Sequence, residues 1–295
     1  MNISENKLEK IQQSEYTFSS YDINKFSEMK QIFQKYGLII IKNIINESFI
    51  ENILECAIHQ YRQTGRKIGL DNKDGSTLEI LDYYVEELEN KDRIAAKQAQ
   101  GLISKSIPMS QLSTNKSIIE IISKLLDIET KEIILESSGG FVPNIPNNKS
   151  RLYTYHSEEH WLPYRKKFIN IWAPLFRTKK STDGTMYVKP YSHLDNHEFQ
   201  EYRGFDQNYD DMYYMQYEVP ENQKYFEMAL EVEPKDAVFF HSNLLHKSEL
   251  NASNKIGYLF IDRYFDLKND LTISSQLGLR PYSSEAEKIG RKIYF

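Results

Sequence analysis

From Lys131 onward the apolar residues come in short runs, each closed by turn-forming residues. The runs are Glu132–Glu136, Leu152–His156, Phe168–Leu175, Thr185–Lys189, Phe226–Val232, Ala237–His241 and Ile256–Tyr264. Gly139-Gly140, Pro146-Asn147-Asn148, Asp183-Gly184 and Pro234-Lys235-Asp236 punctuate them. Strands of that length with Gly, Pro and Asn between them build an antiparallel sandwich or barrel.

The first part of the chain has the opposite period. Asp22 can cap a helix ending near Tyr36, with Phe26, Met29, Ile32 and Phe33 on one face and Gly37 as its stop. Leu38 to Ile41 reads as a buried strand, and Asn46 caps a second helix through Phe49, Ile53, Leu54, Ala57 and Ile58. Residues 66–80 read as irregular, and helical patterning returns over about 84–104 and 115–127. The class is therefore α+β, mainly β: residues 1–20 loosely held, then a single domain over 21–295. Its helical part covers about 21–130 and its strand core about 131–268. Residues 194–223 form a long connection with Tyr202, Arg203, Asp206, Tyr209, Tyr213, Tyr214 and Tyr217, which reads as a lid-like loop.

Composition narrows the function classes. The net charge of −5 offers no global basic balance for nucleic acid. Cys56 is the single cysteine, so no internal disulfide forms and a reducing compartment fits. The first residues lack the apolar core of a signal peptide, and no stretch of about twenty apolar residues can span a bilayer. A cytoplasmic protein with a small-molecule substrate is the expectation; oligomeric state is not legible.

The chemistry concentrates in RLYTYHSEEHW, which holds His156, Glu158, Glu159 and His160, and in a distant stretch holding His241 and His246. Two imidazoles and one carboxylate are the ligand set of a non-haem Fe(II) site. In a strand continuing through His156, residues two apart share a face, which sets Glu158 beside His156 and turns Glu159 away. Glu159 stays open as the acid, because glutamate is long. His246 ends an apolar run before Ser248, Asn251 and Ser253, and is the expected distal ligand, with His241 in reserve. A competing reading takes His156-x-x-Glu159-His160 as the motif of an inverted zinc peptidase. It requires a helix, which Tyr153, Thr154, Tyr155 and Pro163 oppose.

In order along the chain, His156-Ser157-Glu158, Asn170-Ile171-Trp172, Gly184 with Pro190-Tyr191-Ser192-His193, Lys235-Asp236, and His246-Lys247-Ser248 with Asn251 resemble the phytanoyl-CoA dioxygenase family of Fe(II)/2-oxoglutarate oxygenases. The opening helix and Tyr36-Gly37-Leu38-Ile39-Ile40-Ile41 resemble its start, so the likeness spans about residues 25–266. It implies a double-stranded β-helix, a cupin-like jelly roll, with N-terminal helices packed on it. It also implies Fe(II) on His156, Glu158 and His246, and 2-oxoglutarate held by Trp172, Ser248 and the neighbouring Asn170. The implied activity is hydroxylation of a small polar organic molecule by O2, with release of succinate and CO2. A jelly roll that binds a metal or small molecule without turnover is the alternative, and the zinc hydrolase a third.

Three positions depart from the family pattern. Glu158 stands where Asp is usual, and Tyr191 replaces the Gly before Ser192-His193. Gly257 stands eleven positions after His246, where the family carries an arginine for the far carboxylate of 2-oxoglutarate. Lys255 and Arg263 share its strand face by alternation and are the candidate substitutes, Lys255 being the nearer.

Overall fold

The computed structural model of the chain describes residues 11–19, 22–149, 152–161, 168–195, 197, 200–203, 215–218 and 225–266. Its helices are α1 (Phe26–Tyr36), α2 (Glu47–Lys67), α3 (Leu78–Lys91), α4 (Arg93–Ser104), α5 (Ile107–Ser113), α6 (Lys116–Leu126) and the single turn α7 (Glu158–Trp161). Its strands are β1 (Thr17–Ser19), β2 (Leu38–Lys42), β3 (Ile133–Asn144), β4 (Ile169–Pro174), β5 (Met186–Val188), β6 (Gln200–Arg203), β7 (Met215–Glu218), β8 (Met228–Ala229), β9 (Ala237–His241), β10 (His246–Ser248) and β11 (Gly257–Asp266).

A six-stranded sheet runs β1-β2-β9-β4-β11-β3, and a three-stranded sheet runs β10-β5-β8. Alternation on the large sheet separates two cores. Ile39, Ile171, Phe239, Tyr258 and Phe260 face the helical layer, where Ile53, Leu81, Ala99 and Ile122 meet them. Leu38, Ile40, Trp172, Val238, Phe240 and Leu259 face the other way and pack with Met186 and Val188 of the smaller sheet and with Leu230 just beyond it. Helices on one side and a second sheet on the other give the α+β jelly-roll architecture expected, with no closed barrel among the described residues.

Local chemistry explains the joints. Gly37 takes φ 82 to end α1, and a Cβ there would lie 2.5 Å from Nδ1 of His193, so only glycine fits. Tyr191, standing where the resemblance expects glycine, and Lys235 both take the left-handed backbone, at φ 70 and φ 77. Tyr191 offsets that strain by donating its N–H to the Tyr36 carbonyl at 3.1 Å and setting its ring edge-on to the Tyr36 ring at 5.1 Å.

Several expectations need correction. Leu152–His156 is not a strand; only His156 pairs, in an isolated bridge with His246. Gly139-Gly140 does not turn the chain. β3 continues through it, its register against β11 shifting between Ile261 and Arg263, and Gly140 lets the backbone close on Ser104. The helical stretch at 84–104 is two helices, divided where Asp92 accepts a bond from the Ala95 N–H and caps α4; α5 was not foreseen. Of the segment expected to be loose, Gln13–Tyr16 forms a 3-10 turn that buries Tyr16, and β1 pairs parallel to β2. Within the expected lid, β6 and β7 pair antiparallel; the tyrosine side chains named there, Arg203 and Asp206 lie outside what is described.

Candidate metal centre

His156 and His246 face each other across one backbone bridge, each N–H donating to the other's carbonyl at 3.0 Å. That pairing sets the two rings 4.2 Å apart. The chain then coils into α7, and the coil swings the Glu158 carboxylate back: its Oε1 lies 3.8 Å from Nε2 of His156 and 3.6 Å from Nε2 of His246. Ligand atoms of these three buried residues all lie within 4.8 Å of one another, close enough to hold one metal ion. The grouping expected from strand alternation is present, but a bridge and a helical turn produce it.

Both rings are oriented from behind. Nδ1 of His156 lies 2.7 Å from the Thr154 carbonyl, and Nδ1 of His246 lies 2.9 Å from the Leu244 carbonyl. An Nδ1–H donated to each carbonyl leaves each Nε2 lone pair facing Glu158. Phe240 sets its ring edge against His246 at 4.8 Å.

Electrostatics hold the acid ionised. Burial works against the Glu158 charge, but the Arg263 guanidinium first, and then the two histidines beside the carboxylate, outweigh it, holding the carboxyl well below the usual range. Burial lowers the pKa of His246, with the His156 charge adding to the push and Glu158 opposing it. A neutral His246 imidazole beside an ionised carboxylate suits a metal.

The other candidates sort by strand face. Glu159 is turned away: its Oε1 accepts a bond from Oγ of Ser242 at 2.5 Å. His241 lies on the helix-facing side of β9, 6.2 Å from the Phe33 ring, and takes no part in the cluster. The zinc-peptidase pattern fails in its own geometry, because His156 precedes the helical turn and pairs as a strand residue; the His160 side chain lies outside what is described. Trp172 packs in the inter-sheet core, 5% exposed. Asn170 is paired with Arg263 in register and 1% exposed, and its Nδ2 has no hydrogen-bond partner. Ser248 shares the His246 face of β10.

Arg263 and Lys255 do not behave as substitutes for the missing arginine. Arg263 is committed to Glu158, Nη2–Oε2 at 2.7 Å. Lys255 is exposed on the turn that Asn251 closes by donating to its carbonyl, at 2.9 Å. The Arg263–Glu158 pair and the Thr154 and Leu244 carbonyls were missed in the sequence. No motif encodes a main-chain carbonyl, and the family likeness directs Arg263 to a different carboxylate.

The sequence matches the Phytanoyl-CoA dioxygenase (PhyH) family over residues 33–256. The chain belongs to that family. No curated protein matches it in sequence. Among solved structures, this PhyH chain is similar to the epimerase SnoN, determined in complex with Fe3+, alpha ketoglutarate and nogalamycin RO, at 13% identity and TM-score 0.53, covering 82% of this chain and 84% of that one. It is similar to the non-heme alpha ketoglutarate dependent carbocyclase SnoK from nogalamycin biosynthesis, at 17% identity and TM-score 0.52, covering 84% and 85%. It is also similar to the non-heme monooxygenase ThoJ, at 15% identity and TM-score 0.54, covering 80% and 76%. At these identities the likeness is one of fold. Among the described residues no helix is long and apolar enough to cross a membrane.

Proposed function

We propose that this PhyH protein is an Fe(II)- and 2-oxoglutarate-dependent dioxygenase that hydroxylates a small polar organic substrate. The observation that carries the reading is the convergence of Nε2 of His156, Nε2 of His246 and a Glu158 oxygen, all buried and within 4.8 Å of one another. Two imidazoles and one carboxylate are the donor set of non-haem Fe(II) oxygenases, and three protein ligands leave positions for a keto acid and O2. Bound Fe(II) supplies the activation of O2 that couples oxidation of 2-oxoglutarate to succinate and CO2 with insertion of one oxygen atom into a substrate C–H bond.

The protein's own residues supply position and dryness. The Thr154 and Leu244 carbonyls fix the imidazole tautomers. Arg263 keeps Glu158 ionised and turned. Phe240, edge-on to His246, and the inter-sheet core it shares with Trp172 give the site an apolar flank that disfavours water. Asn170 presents an unpartnered buried amide N–H, which suits a carboxylate or carbonyl oxygen of a bound acid. Ser248 offers a hydroxyl on the His246 face. SnoN, SnoK and ThoJ are an epimerase, a carbocyclase and a monooxygenase on this fold, so the substrate and the use made of the oxidation are set outside the triad. The reading includes a reducing, cytoplasmic setting, supported by the lone Cys56.

Purified protein given Fe(II), ascorbate, O2 and 2-oxoglutarate is expected to form succinate, with the yield rising as the right substrate enters a panel. His246→Ala is expected to form none. Absence of keto-acid binding and of succinate in the unmutated, Fe(II)-loaded protein would overturn the reading.

A further inference from the structure

The position that departs most from the family pattern is occupied from another direction. Gly257 opens β11 on the face that carries Leu259, Ile261 and Arg263, the face turned to the inter-sheet core and the triad. A Cβ built on Gly257 would lie 2.1 Å from Nζ and 2.3 Å from Cε of Lys179. The space left by the missing side chain is filled by a lysine amine.

Lys179 reaches it from across the fold. Its backbone pairs with Val232, N–H to carbonyl at 2.8 and 2.9 Å. Its side chain is among the largest fully buried ones, 1% exposed. The amine donates to Oδ1 of Asn144 at 3.0 Å and to the carbonyl of Asp183. Both acceptors are neutral oxygens, an ammonium has three N–H groups, and no carboxylate pairs with it among the described residues. A buried cation whose hydrogen-bond acceptors are all neutral, with the Asp183 carboxylate acting only through space, is costly until an anion joins it. The other cations nearby are spent: Arg263 holds Glu158, Arg177 forks onto Asp82 at 3.0 and 2.6 Å, and Lys255 is exposed.

We propose that Lys179 is the cation for the far carboxylate of a dicarboxylic keto acid, standing in the space that Gly257 leaves open. This rests on the function proposed above. A glycine of β11 and a lysine from the segment between β4 and β5 together replace a single arginine, and the pair has to change together: a larger residue at 257 displaces the amine, and loss of the amine leaves a gap beside a glycine. The lysine gives a point charge rather than an arginine's planar fork.

The test titrates two acids into the anaerobic Fe(II)-loaded protein by calorimetry. 2-Oxoglutarate carries the far carboxylate; 2-oxobutyrate keeps the keto-acid end and lacks it. Lys179→Met is expected to weaken 2-oxoglutarate at least about tenfold and leave 2-oxobutyrate unchanged. Adding Gly257→Arg to Lys179→Ala is expected to restore the preference for the dicarboxylate. A measurement on the unmutated protein needs no variant to fold. Burial brings the Lys179 amine down to about 8, with Asp183 opposing and Arg177 assisting, while Asn144, Gly257 and Val232, packed around it, bring no charge. A bound carboxylate raises it again, so near pH 8.5 the enthalpy of 2-oxoglutarate binding should vary with buffer as a proton is taken up, and that of 2-oxobutyrate should not. Equal 2-oxoglutarate affinity in Lys179→Met, or equal losses for both acids, overturns the assignment of Lys179 alone. Failure of the unmutated protein to bind either acid overturns the functional reading and this inference with it.

Discussion

Arg263 holds one oxygen of Glu158 and leaves the other to the histidines: Nη2 and Nε lie 2.7 and 2.9 Å from Oε2, while Oε1 faces Nε2 of His156 and His246. The division gives a physical reason for glutamate where the family favours aspartate. The carboxylate leaves α7 and must span from a β11 guanidinium to two imidazoles, and the extra methylene supplies the reach.

Removing the guanidinium should loosen the acid without removing it. Arg263→Met is expected to weaken metal binding about 10- to 100-fold, the usual cost of losing a residue that orients a ligand. Glu158→Asp is expected to weaken it as well, despite being the family's own choice, because the shorter side chain cannot reach both partners. Competition with a chromophoric chelator measures both; Glu158→Asp binding metal as well as the parent would refute the spanning argument.

The triad predicts a sharp division among the histidines. His156→Ala and His246→Ala should each abolish Fe(II)-dependent 2-oxoglutarate turnover. His241→Ala, on the helix side of β9, and His197→Ala, whose Nε2 lies 2.7 Å from the Ser192 carbonyl, should retain it. Glu159→Ala should lose only the Ser242 contact and remain active. Succinate formation checks the series.

The sheet faces and the grouping of His156, Glu158 and His246 were legible, because a period of two puts Trp172 with Val238 and Ile171 with Phe239 whatever the loops do. The route to the grouping was not. Tyr153, Thr154 and Tyr155 have strand propensity, yet only His156 finds a partner, and α7 is too short to leave a periodic signature. Gly139-Gly140 reads as a turn and is a bulge. Lys179 carried no local signal at all: its relation to Gly257 exists only where the segment between β4 and β5 meets the start of β11, far away in sequence.

Lys235 offers a stability test of a strained turn. It holds φ 77, a backbone that favours glycine, with Nζ 3.0 Å from the exposed Glu47 carboxylate. A left-handed backbone costs a residue with a Cβ about 1–2 kcal/mol, and a surface ion pair returns about 0–1 kcal/mol. Glycine's extra freedom in the unfolded chain takes back about 0.4–1 kcal/mol, so Lys235→Gly is expected to stabilise the fold by up to about 1 kcal/mol, read as a higher urea midpoint with an unchanged slope. A lower midpoint would show that the lysine contributes more than its backbone costs.

His193 predicts a pH dependence separate from the metal site. It is 9% exposed, its Nε2–H donates to the Gln34 carbonyl at 3.0 Å, and its Nδ1 is buried without a partner against Gly37. Burial first, and then the charge of His241, lower its pKa from 6.5 to about 4, with the Gln34 bond opposing and His197 assisting. The sign follows from proton counting. Between those values the unfolded chain holds the proton and the folded chain does not, so stability falls as pH drops through 6.5 and levels off below 4. The loss is at most about 3 kcal/mol, at roughly 1.4 kcal/mol per unit. His193→Gln keeps an N–H donor for Gln34 but has nothing to titrate there. Its stability difference from the parent should therefore shrink or reverse as pH falls from 7 to 4, because carboxylates common to both proteins cancel in the comparison. Urea unfolding of the pair at half-unit steps across that window is the measurement. A difference that stays constant would show that His193 titrates alike in both states and is not held neutral by its burial.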